Sequence, residues 1–232
     1  MEMSMMSPLE ELALADGLAQ AHAAIVRGDL AEARATYPRL LERYGRSFQL
    51  CFDYGRFWYL EHDLDESVSF LQSAVEMNPD HIMALLWCGD LYALGFGVGK
   101  NYVDAYALFT HVLELDPTAS DAYAYLAQLH RDPGIVMSDE TWMQLLHQAV
   151  ALDAGKENQY NLAMGYLTLG QIPSCLQIFY RLLDTLPRTD FDWRKRVQLN
   201  IELIEQQRNE TTGYIPPDHY QRYRWFEDIT IP

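Results

Sequence analysis

Two distant stretches of the chain share one pattern of apolar and polar positions. In EHDLDESVSFLQSAVEMNPD (61–80) and LGQIPSCLQIFYRLLDTLP (169–187), a turn is followed by apolar residues spaced three and four apart, and then by proline. That spacing predicts an amphipathic helix, and proline predicts its end, because the ring lacks an N–H and clashes with the preceding turn. The segments in front of them also match. CFDYGRFWYL (51–60), LLWCGDLYAL (85–94), AYLAQLH (124–130) and YNLAMGYLTL (160–169) each place a small residue three positions before an aromatic ring. The small residues are Ala21, Gly55, Gly89, Ala127 and Ala163, at successive intervals of 34, 34, 38 and 36 residues. Such a period is that of a helical hairpin repeated about five times.

This pattern resembles the tetratricopeptide repeat family over most of the chain. Tyr54, Gly55, Trp58, Ala74 and Pro79 fall at consensus positions in the second repeat, and Leu162, Ala163, Tyr166, Gly170, Phe179 and Pro187 do so in the fifth. The small residue lets two helices approach closely, and the aromatic fills the gap between neighbouring hairpins. Ala24 replaces the aromatic in the first repeat, and Trp142 stands at a small position in the fourth. The resemblance implies an all-α, right-handed solenoid of about five hairpins over residues 1–187. A capping helix is expected over 188–210, and an aromatic-rich extended tail over 211–232, packed on the array or on a partner.

One repeat is longer than the others. Nine residues separate Trp58 from Ser67 and Tyr166 from Cys175, whereas Tyr92 to Ala105 takes 13, so four extra residues lie within FGVGKN. A glycine-lengthened turn of this kind is similar to the Sel-like variant of the family, here over residues 85–117, with the glycines supplying positive φ. The same stretch, LGFGVGK (94–100), has a phosphate-loop flavour. A phosphate-binding loop, however, needs GxxxxGK[ST] after a strand. Leu94 stands where its first glycine belongs, Asn101 stands where its Ser or Thr belongs, and the flank is helical in pattern. A turn is expected here, and no nucleotide site.

Charge narrows the partners. The chain carries a net charge of −16, and residues 51–150 hold 15 acidic residues against Arg56, Lys100 and Arg131, or −12 of that total. Nucleic acid and anionic lipid both need basic surface, so neither is an expected partner, whereas a basic protein is. The amino-terminal residues show no basic stretch before an apolar run, and acidic residues interrupt every apolar run. No leader or membrane span is expected from that pattern, and a cytoplasmic setting is.

Reactive constellations are sparse. Cys51, Cys88 and Cys175 are widely separated and form no CxxC pair, and the seven histidines form no HExxH motif. They are read as core cysteines, with no metal and no cofactor expected. Asp63, Asp65 and Glu66, beside His62, lie where acidic side chains cap a helix and complement its dipole. No GxSxG elbow or Cys/His nucleophile signature occurs, and no catalytic residue is assigned.

What remains is surface. In the family, successive first helices line a concave groove, and the positions carried over here are Phe52, Arg56, Tyr59, Asp90, Gln128, Arg131, Tyr160 and Met164. The family groove that grips a carboxylate uses lysines and asparagines, where this chain has Arg56, Asp90 and Gln128. The expected function is a non-catalytic scaffold or adaptor that holds a peptide or helix of another protein. The alternative is an acidic inhibitor or immunity protein that neutralises a basic toxin or enzyme. Self-association is a further expectation of the tail, where Tyr214, Tyr220, Tyr223, Trp225 and Phe226 crowd beyond Pro216 and Pro217.

Overall fold

A computed structural model of the protein describes residues 6–95, 101–131 and 134–210, the side chains of 131 and 207–210 excepted. Eleven α-helices and one 3-10 turn occur among the described residues, and no strand. They are α1 (Pro8–Val26), α2 (Leu30–Tyr44), α3 (Phe48–Leu60), α4 (Leu64–Met77), α5 (Ile82–Leu94), α6 (Tyr102–Leu115), α7 (Ser120–Gln128), α8 (Asp139–Leu152), α9 (Lys156–Thr168), α10 (Ile172–Thr185) and α11 (Phe191–Glu210). The chain divides between Val136 and Met137 into two compact units. In the first, α1 pairs with α2, α3 with α4 and α5 with α6; in the second, α8, α9, α10 and α11 pack in succession.

One backbone hydrogen bond closes each regular hairpin. The residue that caps the second helix donates its N–H to the carbonyl three residues after the small position. Asp29 donates to Ala24 at 2.9 Å, Asp63 to Trp58 at 3.0 Å and Gln171 to Tyr166 at 2.8 Å. In the lengthened hairpin Asn101 donates to Tyr92 at 3.0 Å. The four extra residues therefore leave the closure of the hairpin unchanged. Gly95 ends α5 in the left-handed region at φ 93°, and the Asn101 side chain caps α6 by accepting from the Asp104 N–H. Residues 96–100, which include two of the three glycines and the lysine, lie outside the described residues. The element that leads into them is helix α5, not the strand that a phosphate-binding loop requires.

Four residues past each cap the second helix places Ala33, Ser67, Ala105 or Cys175, and all four are fully buried. Ser67 faces the small residue of its own first helix. The Ser67 hydroxyl donates to the Gly55 carbonyl at 2.8 Å. A Cβ on Gly55 would stand 2.7 Å from Leu71 Cγ, and one on Gly89 would stand 2.6 Å from Phe109 Cε1. No real Cβ is found that close to a neighbour, so glycine is what permits these helices to meet.

The turns also share a backbone state. Gly28 and Gly170 adopt φ of 78° and 70°, and His62, at the same point of the second hairpin, adopts 59°. A side chain there carries a steric cost that glycine avoids. The acidic residues after it act as the sequence suggests: Asp63 accepts from the Glu66 N–H at 3.3 Å, and Asp65 and Glu66 occupy the first turn of α4. All three cysteines are free and buried, and burial pushes the thiols of Cys88 and Cys175 up to about 11 and about 12.

Regularity lapses in the fourth repeat. Helix α7 is only nine residues long and passes into the 3-10 turn Leu129–Arg131. Four residues after the Ser138 cap of α8, the position that is small elsewhere holds Trp142, still 9% exposed. The division of the chain falls within this same repeat.

Candidate partner-binding surface

Helix α3 presents Phe52, Arg56 and Tyr59 at intervals of four and three residues, which places them on one face. Helix α5 meets that face with Trp87 and Asp90. The Arg56 guanidinium lies 5.5 Å from the centre of the Phe52 ring and 5.6 Å from that of Trp87. It is held between two aromatic faces, an arrangement worth about 0.5–2 kcal/mol where water is displaced. Tyr59 packs edge-on against Trp87 at 4.8 Å, and its hydroxyl donates to Asp90 Oδ2 over a long 3.4 Å. Phe52 is braced in turn by Phe48 and by His81, whose ring lies 5.0 Å away and whose Nδ1 caps α5.

Asp90 is 7% exposed. Burial pushes its carboxyl up to about 6, and the Tyr59 hydroxyl opposes part of that rise. Burial also raises the phenols of Tyr59 and Tyr125, and in both the carboxylate of Asp90 adds to the effect. Asp90 is thus a charge that the fold desolvates and meets, among the described residues, with one weak donor.

Arg56 is incompletely satisfied as well. Its Nε is buried with no hydrogen-bond partner among the described residues. Beside it opens a cleft of about 330 Å³ between α1 and α3, floored by Tyr37 and Phe57 and walled by Leu18, Ile25 and Leu60, with His22 and Asp53 at hand. A buried N–H without an acceptor costs about 1–3 kcal/mol, so an arriving carbonyl or carboxylate would recover that energy.

Within the first unit the structure brings together Phe52, Arg56, Tyr59 and Asp90. Phe52 and Asp90 are buried and support the face rather than form it. Gln128 is exposed at the end of α7. Arg131 lies in the 3-10 turn with its side chain outside the described residues. Met164 is half-buried on α9, in the second unit. Tyr160, expected at the surface, is only 5% exposed. The reason is α11: Trp193 lies 5.6 Å from its ring, and Asn200 donates to its hydroxyl at 3.2 Å.

Sequence reasoning missed Trp87 and Tyr125. Both carry a signal, since Trp87 follows Asp53 by 34 residues and Tyr125 follows Trp87 by 38, the intervals of the small residues themselves. Among the described residues, no group of three or more His, Cys, Asp or Glu side chains is placed to hold a metal ion. No helix among them is long and apolar enough to cross a membrane.

No protein-family profile matches the sequence, and no curated protein sequence does. Solved structures do match in fold. TTC0263, a thermophilic TPR protein of Thermus thermophilus, is 16% identical with a TM-score of 0.63, covering 80% of this chain and 97% of its own. MamA from Desulfovibrio magneticus is 16% identical with a TM-score of 0.60, covering 78% and 96%. PilF of Pseudomonas aeruginosa is 12% identical with a TM-score of 0.64, covering 93% and 99%. The chain has the helical-hairpin fold of tetratricopeptide repeat proteins.

Proposed function

We propose that the protein is a non-catalytic scaffold that seats a peptide or helix of another protein against α3 and α5, at Arg56, Tyr59 and Trp87. The observation that carries this reading is the Arg56 guanidinium, clamped between two rings with a buried N–H that nothing in the described chain accepts. The partner would supply the acceptor, and an apolar side chain beside it would enter the cleft lined by Leu18, Ile25 and Leu60. Gln128, Arg131 and Met164 remain candidate contacts farther along the repeats.

The test is capture from the native host with the wild-type chain and with Arg56→Met, which keeps the apolar stem and removes the guanidinium. A stoichiometric partner bound by the first and lost from the second, with the melting temperature maintained, supports the site. A partner held equally by both rejects it.

A second reading draws on charge. With −12 concentrated in residues 51–150, a basic protein would be attracted over long range, as an inhibitor of a basic toxin or enzyme requires. Steering of that kind raises association more than it slows dissociation, and it fades as the screening length shortens from about 30 Å to about 8 Å between low and physiological salt. Association of the captured partner that is indifferent to salt rejects this reading and leaves the first intact.

A further inference from the structure

Among the described residues, helix α11 is packed on one side only. Val197, Asn200, Ile201 and Ile204 are buried in the second unit, at the spacing of one helical face. On the other side Phe191 is 75% exposed, Leu199 47% and Leu203 38%, three large apolar side chains along one stripe, with Lys195 between the first two. A concavity of about 600 Å³ opens at Phe191 and Leu199, and its lining holds the cations Arg188, Arg194 and Lys195 against the single carboxylate of Glu202. In a helical-hairpin array each first helix is covered by a second, and a terminal repeat with an uncovered apolar face is an assembly liability.

The chain beyond α11 does not read as that second helix. Pro216 and Pro217 interrupt it, and Tyr214, Tyr220, Tyr223, Trp225 and Phe226 are followed by Glu227 and Asp228. Composition and reach both suit the stripe. From Glu210 back to Phe191 is about 28 Å along a helix, whereas residues 211–228 span up to about 60 Å when extended. The segment is therefore long enough to turn and bring its aromatic residues, from Tyr220 to Phe226, along the stripe from Leu203 to Phe191. That path also carries Glu227 and Asp228 to the cations Arg188 and Lys195.

We propose that residues 214–228 fold back along α11 of the same chain and cover the stripe of Phe191, Leu199 and Leu203, closing the end of the array with aromatic side chains instead of a helix. Their acidic end pairs with Arg188 and Lys195. The inference is independent of the α3–α5 site.

Hydrogen exchange of the full chain, followed by mass spectrometry, tests this, with light scattering at two concentrations to fix the molecular weight. The amides of 214–228 are expected to exchange about tenfold or more slowly than in a free peptide of the same sequence, in a monomer. Leu199→Asp and Phe191→Asp, at exposed positions, should each abolish that protection while leaving α3 and α4 unchanged. Lys195→Glu should reduce it, and adding Glu227→Lys should restore it. Three results overturn the proposal: free-peptide exchange in the wild type, protection that appears only in a dimer, or protection indifferent to both aspartate variants. The second would assign the stripe to a second copy, and the third would place the segment elsewhere.

Discussion

Replacing Asp90 with asparagine removes a charge that the fold buries while keeping the oxygen that accepts from Tyr59. Burial lifts the Asp90 carboxyl from 3.8 to about 6, so between those values the native state holds a proton that the unfolded chain has released. An acid whose native value is raised destabilises the fold as pH rises through that window, and the full penalty applies above about 6. The shift is about two units, which corresponds to about 3 kcal/mol at neutral pH. Asparagine is polar and still desolvated, so a gain of about 1–3 kcal/mol is expected at pH 7. Urea unfolding of the wild type and Asp90→Asn, followed by far-ultraviolet circular dichroism at pH 7 and pH 4, checks it. The midpoint of the variant should lie higher at pH 7, and most of the difference should be gone at pH 4, where the native carboxyl is neutral and the unfolded one is only partly ionised, so that about 0.5 kcal/mol of the charge penalty is left. A variant no more stable at pH 7, or an advantage that persists unchanged at pH 4, would refute the assignment of Asp90 as an uncompensated buried charge.

Other substitutions test the hairpins. Gly89→Ala, with its Cβ 2.6 Å from Phe109, is expected to lower stability by about 1–3 kcal/mol. Gly134→Ala, whose nearest neighbour is 4.0 Å away, should change it by no more than about 0.5 kcal/mol in the same melts. Gly55→Ala should be the costliest of the three in those melts, because the Leu71 backbone nitrogen, 3.1 Å from the added carbon, cannot rotate away as a side chain can. Asp63→Ala removes the acceptor for the Glu66 N–H and should cost about 1 kcal/mol in chemical unfolding. His62→Gly should raise the melting temperature, since the left-handed conformation costs a residue with a Cβ roughly 1–2 kcal/mol and the added freedom of glycine when unfolded offsets only part of that.

The hairpins were legible because they depend on residues that few others can replace. Gly55 and Gly89 stand where a Cβ has no room, and the residue count between Tyr92 and Ala105 located the lengthened turn. The candidate site was only half legible. Periodicity assigns a residue to a helix face, yet it does not say which neighbour a long side chain will reach. Arg56 was visible as a groove residue, but its place between Phe52 and Trp87 depends on the packing of α3 against α5. Asp90, a carboxylate at a groove position, gave no sign that it would be desolvated. Tyr160 was misjudged because its cover, Trp193 and Asn200, comes from a helix outside the repeats, where no period operates.

The backbone bond between the capping residue and the end of the first helix works like a clasp. Because Asn101 and Tyr92 meet as Asp63 and Trp58 do, the geometry of the hairpin does not depend on the amount of chain between Gly95 and Asn101. Lengthening such a span adds only about 0.6 kcal/mol of closure entropy for each doubling. This junction is therefore a socket where new sequence can be installed while the helices beneath keep their register, so a repeat can gain a recognition element without renegotiating its core.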